Sequence, residues 1–227
     1  MVMSGERPGP EPAEHATGAV GAGGAPMSLR ERKKRLTYEA VSEAAIAMFL
    51  ERGFDKVSVA EVAAAADISK PTLFRYFPTK EDLALHRFAD HEDEAARVVA
   101  ARADTESPLD ALHRHFLAGL ERRDPATGLC DVPAVVAFTR LLYGTPSLVA
   151  RLYAYQSRSE EALARALGDG TGDRLAAGQI VAVLRILGLE NWRRIDGGES
   201  ADRAYGPAVE AAELAFAQLR SGLEARR

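Results

Sequence analysis

The twenty residues from Ser58 to Phe77, SVAEVAAAADISKPTLFRYF, decide how the rest of the chain is read. They spell a short helix, a tight connection at Asp67-Ile68-Ser69 and a second short helix, the length of a helix-turn-helix. On the first helix Val59, Val62, Ala63 and Ala66 give an inner face of small residues. On the second, Leu73 and Phe77 stand four apart and are expected to pack back against it and against Ala45, Met48 and Phe49 of the preceding helix. What remains outside is Lys70, Pro71, Thr72, Phe74, Arg75 and Tyr76. Two cations, two aromatics and a hydroxyl within a turn and a half are not an ordinary solvated face, and exposed aromatics there call for a partner.

Charge points the same way once it is divided along the chain. The net charge of -4 argues against nucleic acid in bulk. From Leu29 to Phe88, however, 11 Lys and Arg face 9 Asp and Glu, whereas from Ala89 onward the counts are 17 and 21. All five lysines (Lys33, Lys34, Lys56, Lys70, Lys80) fall in the first of these segments, and Arg30, Arg32, Lys33, Lys34 and Arg35 crowd its entrance. Cations near a helix N-terminus oppose the helix dipole, so an anionic partner such as phosphate is the better explanation of that cluster.

Outward from this segment the chain reads as all helix. Apolar residues recur at spacings of three and four, strand signals are nearly absent, and capping signals punctuate the pattern at Ser28/Glu31, Ser58/Glu61 and Thr79/Asp82. Ser107-Pro108 and Thr145-Pro146 place proline at a first helical position. The predicted helices are 30–52, 59–66, 70–76, 80–103, 108–122, 132–143, 146–167, 173–193 and 201–222. Residues 1–28, rich in Pro and Gly and poor in bulky apolar side chains, read as a disordered N-terminal arm. That arm lacks the basic-then-apolar order of a secretory signal. The sequence leaves open whether translation starts at Met1, Met3 or Met27.

The run Glu39-Ala40-Val41 to Phe49, then Glu51-Arg52-Gly53-Phe54, Ser58-Val59-Ala60-Glu61-Val62-Ala63, Ala66 to Phe77 and Thr79-Lys80-Glu81-Asp82-Leu83 resembles the DNA-binding domain of TetR-family transcriptional regulators. The match is dense over about sixty residues. The resemblance implies an all-α homodimer with an N-terminal three-helix helix-turn-helix domain, 29–83, whose third helix enters the major groove. It also implies a larger C-terminal helical domain, 84–222, that binds a small-molecule effector and shares in dimer formation, with 223–227 a tail. Carried over position by position, Ser58 and Lys80 would touch phosphates, Lys70, Pro71, Thr72 and Arg75 would face bases, and Phe74 and Tyr76 would lie against the backbone. Ser69, at the start of the third helix, completes the candidate DNA-contact set. Phe74 stands where the family usually has tyrosine. Asp67 stands where its turn usually has glycine, and an Asp tolerates a left-handed backbone better than most residues but less well than glycine.

The chemistry of these side chains supports the same role without the name. Phosphate contacts fix register, and base-edge contacts choose sequence. Lys70 and Arg75 can donate to guanine O6 and N7, and the Thr72 methyl can meet a thymine methyl. A dimer of such helices reads two half-sites about 34–36 Å apart, hence a palindromic operator.

Beyond residue 84, pattern alone speaks. Tyr205, Val209, Ala212, Phe216, Leu219 and Leu223 form a heptad seam, and Val181, Leu184, Leu187 and Trp192, with Gly178 and Gly188 permitting close approach, form a second stripe. Helices 173–193 and 201–222 are therefore the expected homodimer interface, the alternative being that both stripes are intradomain core, as one of the two faces is expected to be. Phe116, Phe138, Tyr143, Tyr153 and Gln156 are the candidate effector-pocket residues. His113 and His115 are two apart and diverge, which suits no single metal, and His86 and His91 do no better. No Gly-rich phosphate loop, nucleophile elbow or metal-protease motif is present, so neither an enzyme nor a cofactor is expected. Cys130, the single cysteine, reads as an ordinary thiol, and no apolar run is long enough for a membrane span. The expectation is a cytoplasmic repressor released from duplex DNA by a small molecule. A small-molecule binding protein with a vestigial helix-turn-helix is the alternative.

Overall fold

The computed structural model describes residues 28–89 and 91–224, and the expected N-terminal arm lies outside them apart from Ser28. Among the described residues every regular element is helical: α1 (Leu29–Arg52), α2 (Val59–Ala65), α3 (Lys70–Tyr76), α4 (Lys80–Ala89), α5 (Glu94–Ala100), α6 (Pro108–Glu121), a 3₁₀ turn (Pro125–Thr127), α7 (Pro133–Gly144), α8 (Pro146–Leu167), α9 (Thr171–Asp196) and α10 (Ala201–Glu224). The two long final helices extend a few residues past their expected bounds, α10 into the expected tail.

One predicted helix is two. The span 80–103 divides into α4 and α5 at His91–Asp93, where the His91 N–H reaches the Phe88 carbonyl and the Glu94 N–H the His91 carbonyl, both three-residue steps. No glycine or proline marks this break. It exists because α4 packs on α1 and α8, whereas α5 turns to lie between α8 and α6, and packing overrides the weak helix preference of the polar run there.

The first core gathers Val41, Ala45, Phe49, Phe54, Val62, Leu73, Phe77 and Leu83, with Met48 partly buried against it, as the spacing predicts. It does not stop at residue 83: Leu142 of α7 and Leu148, Leu152 and Tyr155 of α8 belong to the same cluster. The second core is built by α5, α6, α8, α9 and α10 around Leu112, Phe116, Leu163, Ile180 and Phe216.

The seam on α10 faces this second core and not outward. Ala212, Phe216 and Leu219 are buried in it, with Tyr205, Val209 and Leu223 packed alongside, as are Val181, Leu184 and Leu187 of α9. A heptad stripe reports that one face is apolar, not which polypeptide covers it. The residues left outside are Leu175 and Ile186 on α9 and Leu214 on α10, all large, apolar and exposed. Gly188 does permit a close approach, but to the 3₁₀ turn of its own chain. A Cβ on Gly128, whose φ is +74°, would lie 1.9 Å from the Gly188 carbonyl oxygen. Asn191, buried below, donates to the Thr127 carbonyl at 2.9 Å and pins that turn to α9.

Candidate nucleic-acid interface and effector cavities

The connection between α2 and α3 closes as a Schellman turn. The Ile68 N–H reaches the Ala63 carbonyl and the Asp67 N–H the Ala64 carbonyl, with Asp67 at φ +52° in the left-handed region. Ser58 caps α2 reciprocally with Glu61: its Oγ accepts the Glu61 N–H at 3.2 Å, and Glu61 Oε2 accepts the Ser58 N–H at 2.8 Å. That backbone bond, with Arg52 at 2.6 Å and the Ser58 hydroxyl, holds the Glu61 carboxyl down at about 2. Ser69 caps α3, its Oγ accepting the Thr72 N–H at 3.2 Å and lying 2.7 Å from Thr72 Oγ1. Caps at both ends of the turn therefore fix how α3 leaves the bundle.

With Leu73 fully buried and Phe77 nearly so, α3 turns its other side to solvent. Lys70, Pro71, Phe74 and Arg75 are exposed, Phe74 by 40%, while Thr72 and Tyr76 are half-buried. Tyr76 leans on Tyr38 of α1, ring centres 4.7 Å apart, and the Arg75 guanidinium lies 5.4 Å from the Tyr76 ring. The Lys70 ammonium stands 5.8 Å from the Phe74 ring. Among the described residues neither Lys70 nor Arg75 has a carboxylate partner, so two unmatched cations sit on one outward face beside an exposed aromatic ring.

Lys80, expected at a phosphate, has an intramolecular partner in the DNA-free chain. Its ammonium donates to the Phe54 carbonyl and lies 4.3 Å from the Phe54 ring and 5.6 Å from that of Phe49. It is turned into the corner between α1 and α2, because a carbonyl and two ring faces there satisfy the cation better than an isolated surface position would. Of the basic entrance, Arg32 is exposed, and the side chains of Arg30, Lys33, Lys34 and Arg35 lie outside the described residues.

Two adjoining cavities, of about 190 and 230 Å³, open between α5, α6, α7, α8, α9 and the 3₁₀ turn. Tyr143 lines the first, Phe116 the second, and Gln156 both. Phe138 and Tyr153 line neither. Phe138 packs toward Phe88, ring centres 6.3 Å apart, and Tyr153 is 55% exposed. On α8 the inward arc runs through Leu152, Tyr155, Gln156 and Ser159, and Tyr153 falls outside it at 100° per residue. Trp192, read from sequence as part of an interface stripe, packs at a tilt against Tyr143, ring centres 4.7 Å apart, and walls the first cavity with Cys130, which is buried. His113 and His115 diverge as expected: His113 stacks on Phe216, and His115 reaches Glu94 at 3.1 Å beside His91 at 2.8 Å. No group of three metal-ligating side chains is found among the described residues.

One polar cluster joins the two halves. Asp82, buried at the start of α4, accepts from the Thr79 N–H (3.0 Å), the Thr79 hydroxyl (2.8 Å), the Tyr155 hydroxyl (3.1 Å) and Nε and Nη2 of Arg151 (2.8 and 3.0 Å). Burial pushes the Asp82 carboxyl up, but the hydrogen bonds of Arg151, Thr79 and Tyr155 outweigh it and leave the group below its ordinary value. Tyr155, held protonated with its hydroxyl pushed up to about 12 chiefly by burial, also lines the first cavity. A side chain on the cavity wall thus touches the helix that follows α3. Thr79/Asp82 is a capping pair legible in the sequence, but nothing local to it announces Arg151 or Tyr155, 69 and 73 residues away.

Comparison with known proteins locates the first core. Residues 42–86 match the family model of bacterial regulatory proteins, tetR family. Over 165 residues the chain is 31% identical to the HTH-type transcriptional regulator TcmR of Streptomyces glaucescens, covering 70% of this chain and 73% of that one. It is 28% identical over 148 residues to the HTH-type transcriptional repressor LfrR of Mycolicibacterium smegmatis, covering 64% and 68% respectively. Among solved structures, a TetR-family regulator from Streptomyces coelicolor A3 superimposes with a TM-score of 0.51 at 21% identity, over 86% of this chain and 99% of that one. That last likeness speaks for the fold alone.

Proposed function

The chain belongs to the TetR family of bacterial regulatory proteins and is a DNA-binding transcriptional regulator, and from that premise we propose that it is a homodimeric repressor released from a palindromic operator by a small molecule. The observation that carries the DNA half is the outward face of α3. Leu73 and Phe77 anchor the helix, and Lys70, Pro71, Thr72 and Arg75 are left to meet base edges. Ser58 and Ser69, at the two caps, and Phe74 and Tyr76, at the flanks, take the sugar-phosphate backbone. Lys80, committed to Phe54, is left out of the contact set and acts as a strut of the domain.

The dimer uses α9 and α10, through the face carrying Leu175, Ile186 and Leu214 and not through the inward seam. Exposed large apolar side chains on adjacent helices are what a self-complementary interface covers. The effector occupies the two cavities, and its presence is felt at α4 through Tyr155 and Asp82. Release requires that it bind more tightly to the form whose recognition helices are mis-spaced. Repression is supported by the likeness to a protein named a repressor. A cytoplasmic location accords with this role, and no described helix is long and apolar enough to cross a membrane. Residues 29–83 and 84–222 are the units proposed to carry the two activities, with Leu142, Leu148 and Leu152 the apolar contacts between them. A non-enzymatic role accords with relatives that are regulators.

The test is selection of bound duplexes from a random pool by the full chain. Enrichment of inverted repeats with half-site centres about 34–36 Å apart is expected. Binding that stays blind to sequence and vanishes with salt, beside tight small-molecule binding, would favour the vestigial reading instead.

A further inference from the structure

The wall shared by the two cavities holds Arg185 of α9, half-buried, and is lined also by Gln156 and Ser159 of α8. Among the described residues Arg185 has no hydrogen bond or ion pair, and its nearest recorded companion is the Tyr153 ring, 5.9 Å from the guanidinium carbon. The carboxylates on the same walls are each matched elsewhere. Glu92 is held by Arg158 at 2.9 Å, Glu94 by His91 and His115, and Asp124 by Arg122 at 3.8 Å and by the Ala126 N–H at 3.0 Å. The cavity lining therefore carries one cation whose charge nothing balances.

A second, independent vacancy lies two turns along the same helix. The indole Nε1–H of Trp192 is buried and has no acceptor. A buried donor left unmade costs free energy that a ligand oxygen would return. Tyr143, packed at a tilt against that indole, is neutral at pH 7 and burial pushes its hydroxyl further up, so the wall offers a further neutral donor and no competing anion. Around these donors the first cavity is apolar and aromatic, with Phe88, Leu142, Tyr155, Leu184 and Leu189. The space exceeds by an order of magnitude the roughly 10–15 Å³ that one water needs.

Building on the effector reading above, we propose that the effector is an acidic ring compound, its apolar body stacked against Tyr143 and Trp192 and its carboxylate, or an equivalent anionic oxygen, paired with Arg185. The Trp192 N–H takes an acceptor oxygen of the same molecule. A cationic ligand is disfavoured, because it would meet an unpaired guanidinium in a partly dehydrated site while every nearby carboxylate is already engaged. A neutral ligand of the same shape would leave that guanidinium unpaired and so binds less tightly than the acid.

Three probes that share one ring system separate these cases: 2-naphthoate, 2-naphthamide and 2-naphthylmethylammonium, titrated calorimetrically into the full chain at pH 7 without DNA. The naphthoate is expected to bind about tenfold or more tightly than either of the others, since a hydrogen-bonded charge is worth that factor. Arg185→Gln should abolish the preference, Arg185→Lys should restore part of it, and Trp192→Phe should weaken the naphthoate with Arg185 in place. Circular dichroism melting confirms that each variant folds. Equal or tighter binding of the ammonium or the amide would overturn the proposal, as would an intact preference in Arg185→Gln or failure of all three probes to bind at millimolar concentration. Because no duplex is present, that failure leaves the operator reading standing. Conversely, a chain that prefers naphthoate but selects no duplex keeps the anion site and loses the regulator reading.

Discussion

Replacing Arg151 with methionine removes two of the five hydrogen bonds that Asp82 accepts and the charge that matches it. Removing one partner of a fully buried ion pair costs about 3–5 kcal/mol, mostly because the other charge is stranded. The loss here is smaller, because the Arg151 side chain is 33% exposed and Thr79 and Tyr155 continue to donate to the carboxylate. About 2–3 kcal/mol is expected. Urea unfolding followed by circular dichroism at a fixed protein concentration reads this as a lower midpoint with an unchanged slope.

The sign of the pH dependence follows from the Asp82 carboxyl lying below its ordinary value of 3.8 when folded. The stabilisation is complete above the unfolded value and is lost as pH falls through the folded one. The wild type should therefore lose more stability than Arg151→Met between neutrality and acid. A cycle with Asp82→Asn supplies the control, and the two substitutions together should cost at least about 1 kcal/mol less than their sum. Additive losses, or a cost for Arg151→Met below about 0.5 kcal/mol, would refute the assignment of this cluster as the tie between α4 and α8.

Three further outcomes follow from local geometry. Asp67→Gly should raise stability by about 0.5–1 kcal/mol in thermal or urea unfolding, since the φ of +52° at that position carries a side-chain penalty that glycine lacks; a loss would show that the Asp67 side chain stabilises the turn. Lys80→Met should lower stability by about 1–2 kcal/mol while leaving the slope of log affinity against log salt unchanged, whereas Lys70→Ala should relax discrimination at one base-pair position by about 1–3 kcal/mol. A flattened slope for Lys80→Met would return that lysine to the DNA surface. Ile186→Asp and Leu214→Asp should each shift the chain toward monomer by light scattering behind size exclusion, and dimers that persist in both would place the interface elsewhere.

The helix-turn-helix was legible because its signals are local. Ser58 with Glu61 and the four-residue spacing of Leu73 and Phe77 act within one turn of the residues they organise, and the structure places both as expected; the Ser69 cap on the third helix emerges only in the structure. The break at His91 was not legible, because it arises from where α5 must lie against α6 and α8 and no residue there forces it. The same limit explains the α10 seam. Phe216 and Leu219 advertise an apolar face, but only the packed structure shows that α6 and α9 already cover it.

Cavity residues were the least legible. Aromatic residues on α7 and α8 look alike in sequence, yet Tyr143 lines a cavity and Phe138 does not. Arg185 and Trp192 gave no signal of pocket chemistry. An arginine within a helix reads as solvated, and a tryptophan within an apolar stripe reads as packing, until the 3₁₀ turn and α8 close around them. Lys80 shows a further limit: the resemblance implies a phosphate contact, and nothing local announces that the carbonyl of Phe54, 26 residues away, takes its ammonium.

The account rests on α3 reading bases with the side chains that its anchors leave outside. The most direct measurement is the affinity of the wild type and of Arg75→Ala for the selected operator and for each single-base-pair variant of one half-site, by fluorescence anisotropy at a fixed salt concentration. The prediction is a loss of about 1–3 kcal/mol of discrimination confined to one base-pair position, with the preferences elsewhere intact. Loss spread evenly over all positions, or no change at any, would contradict it.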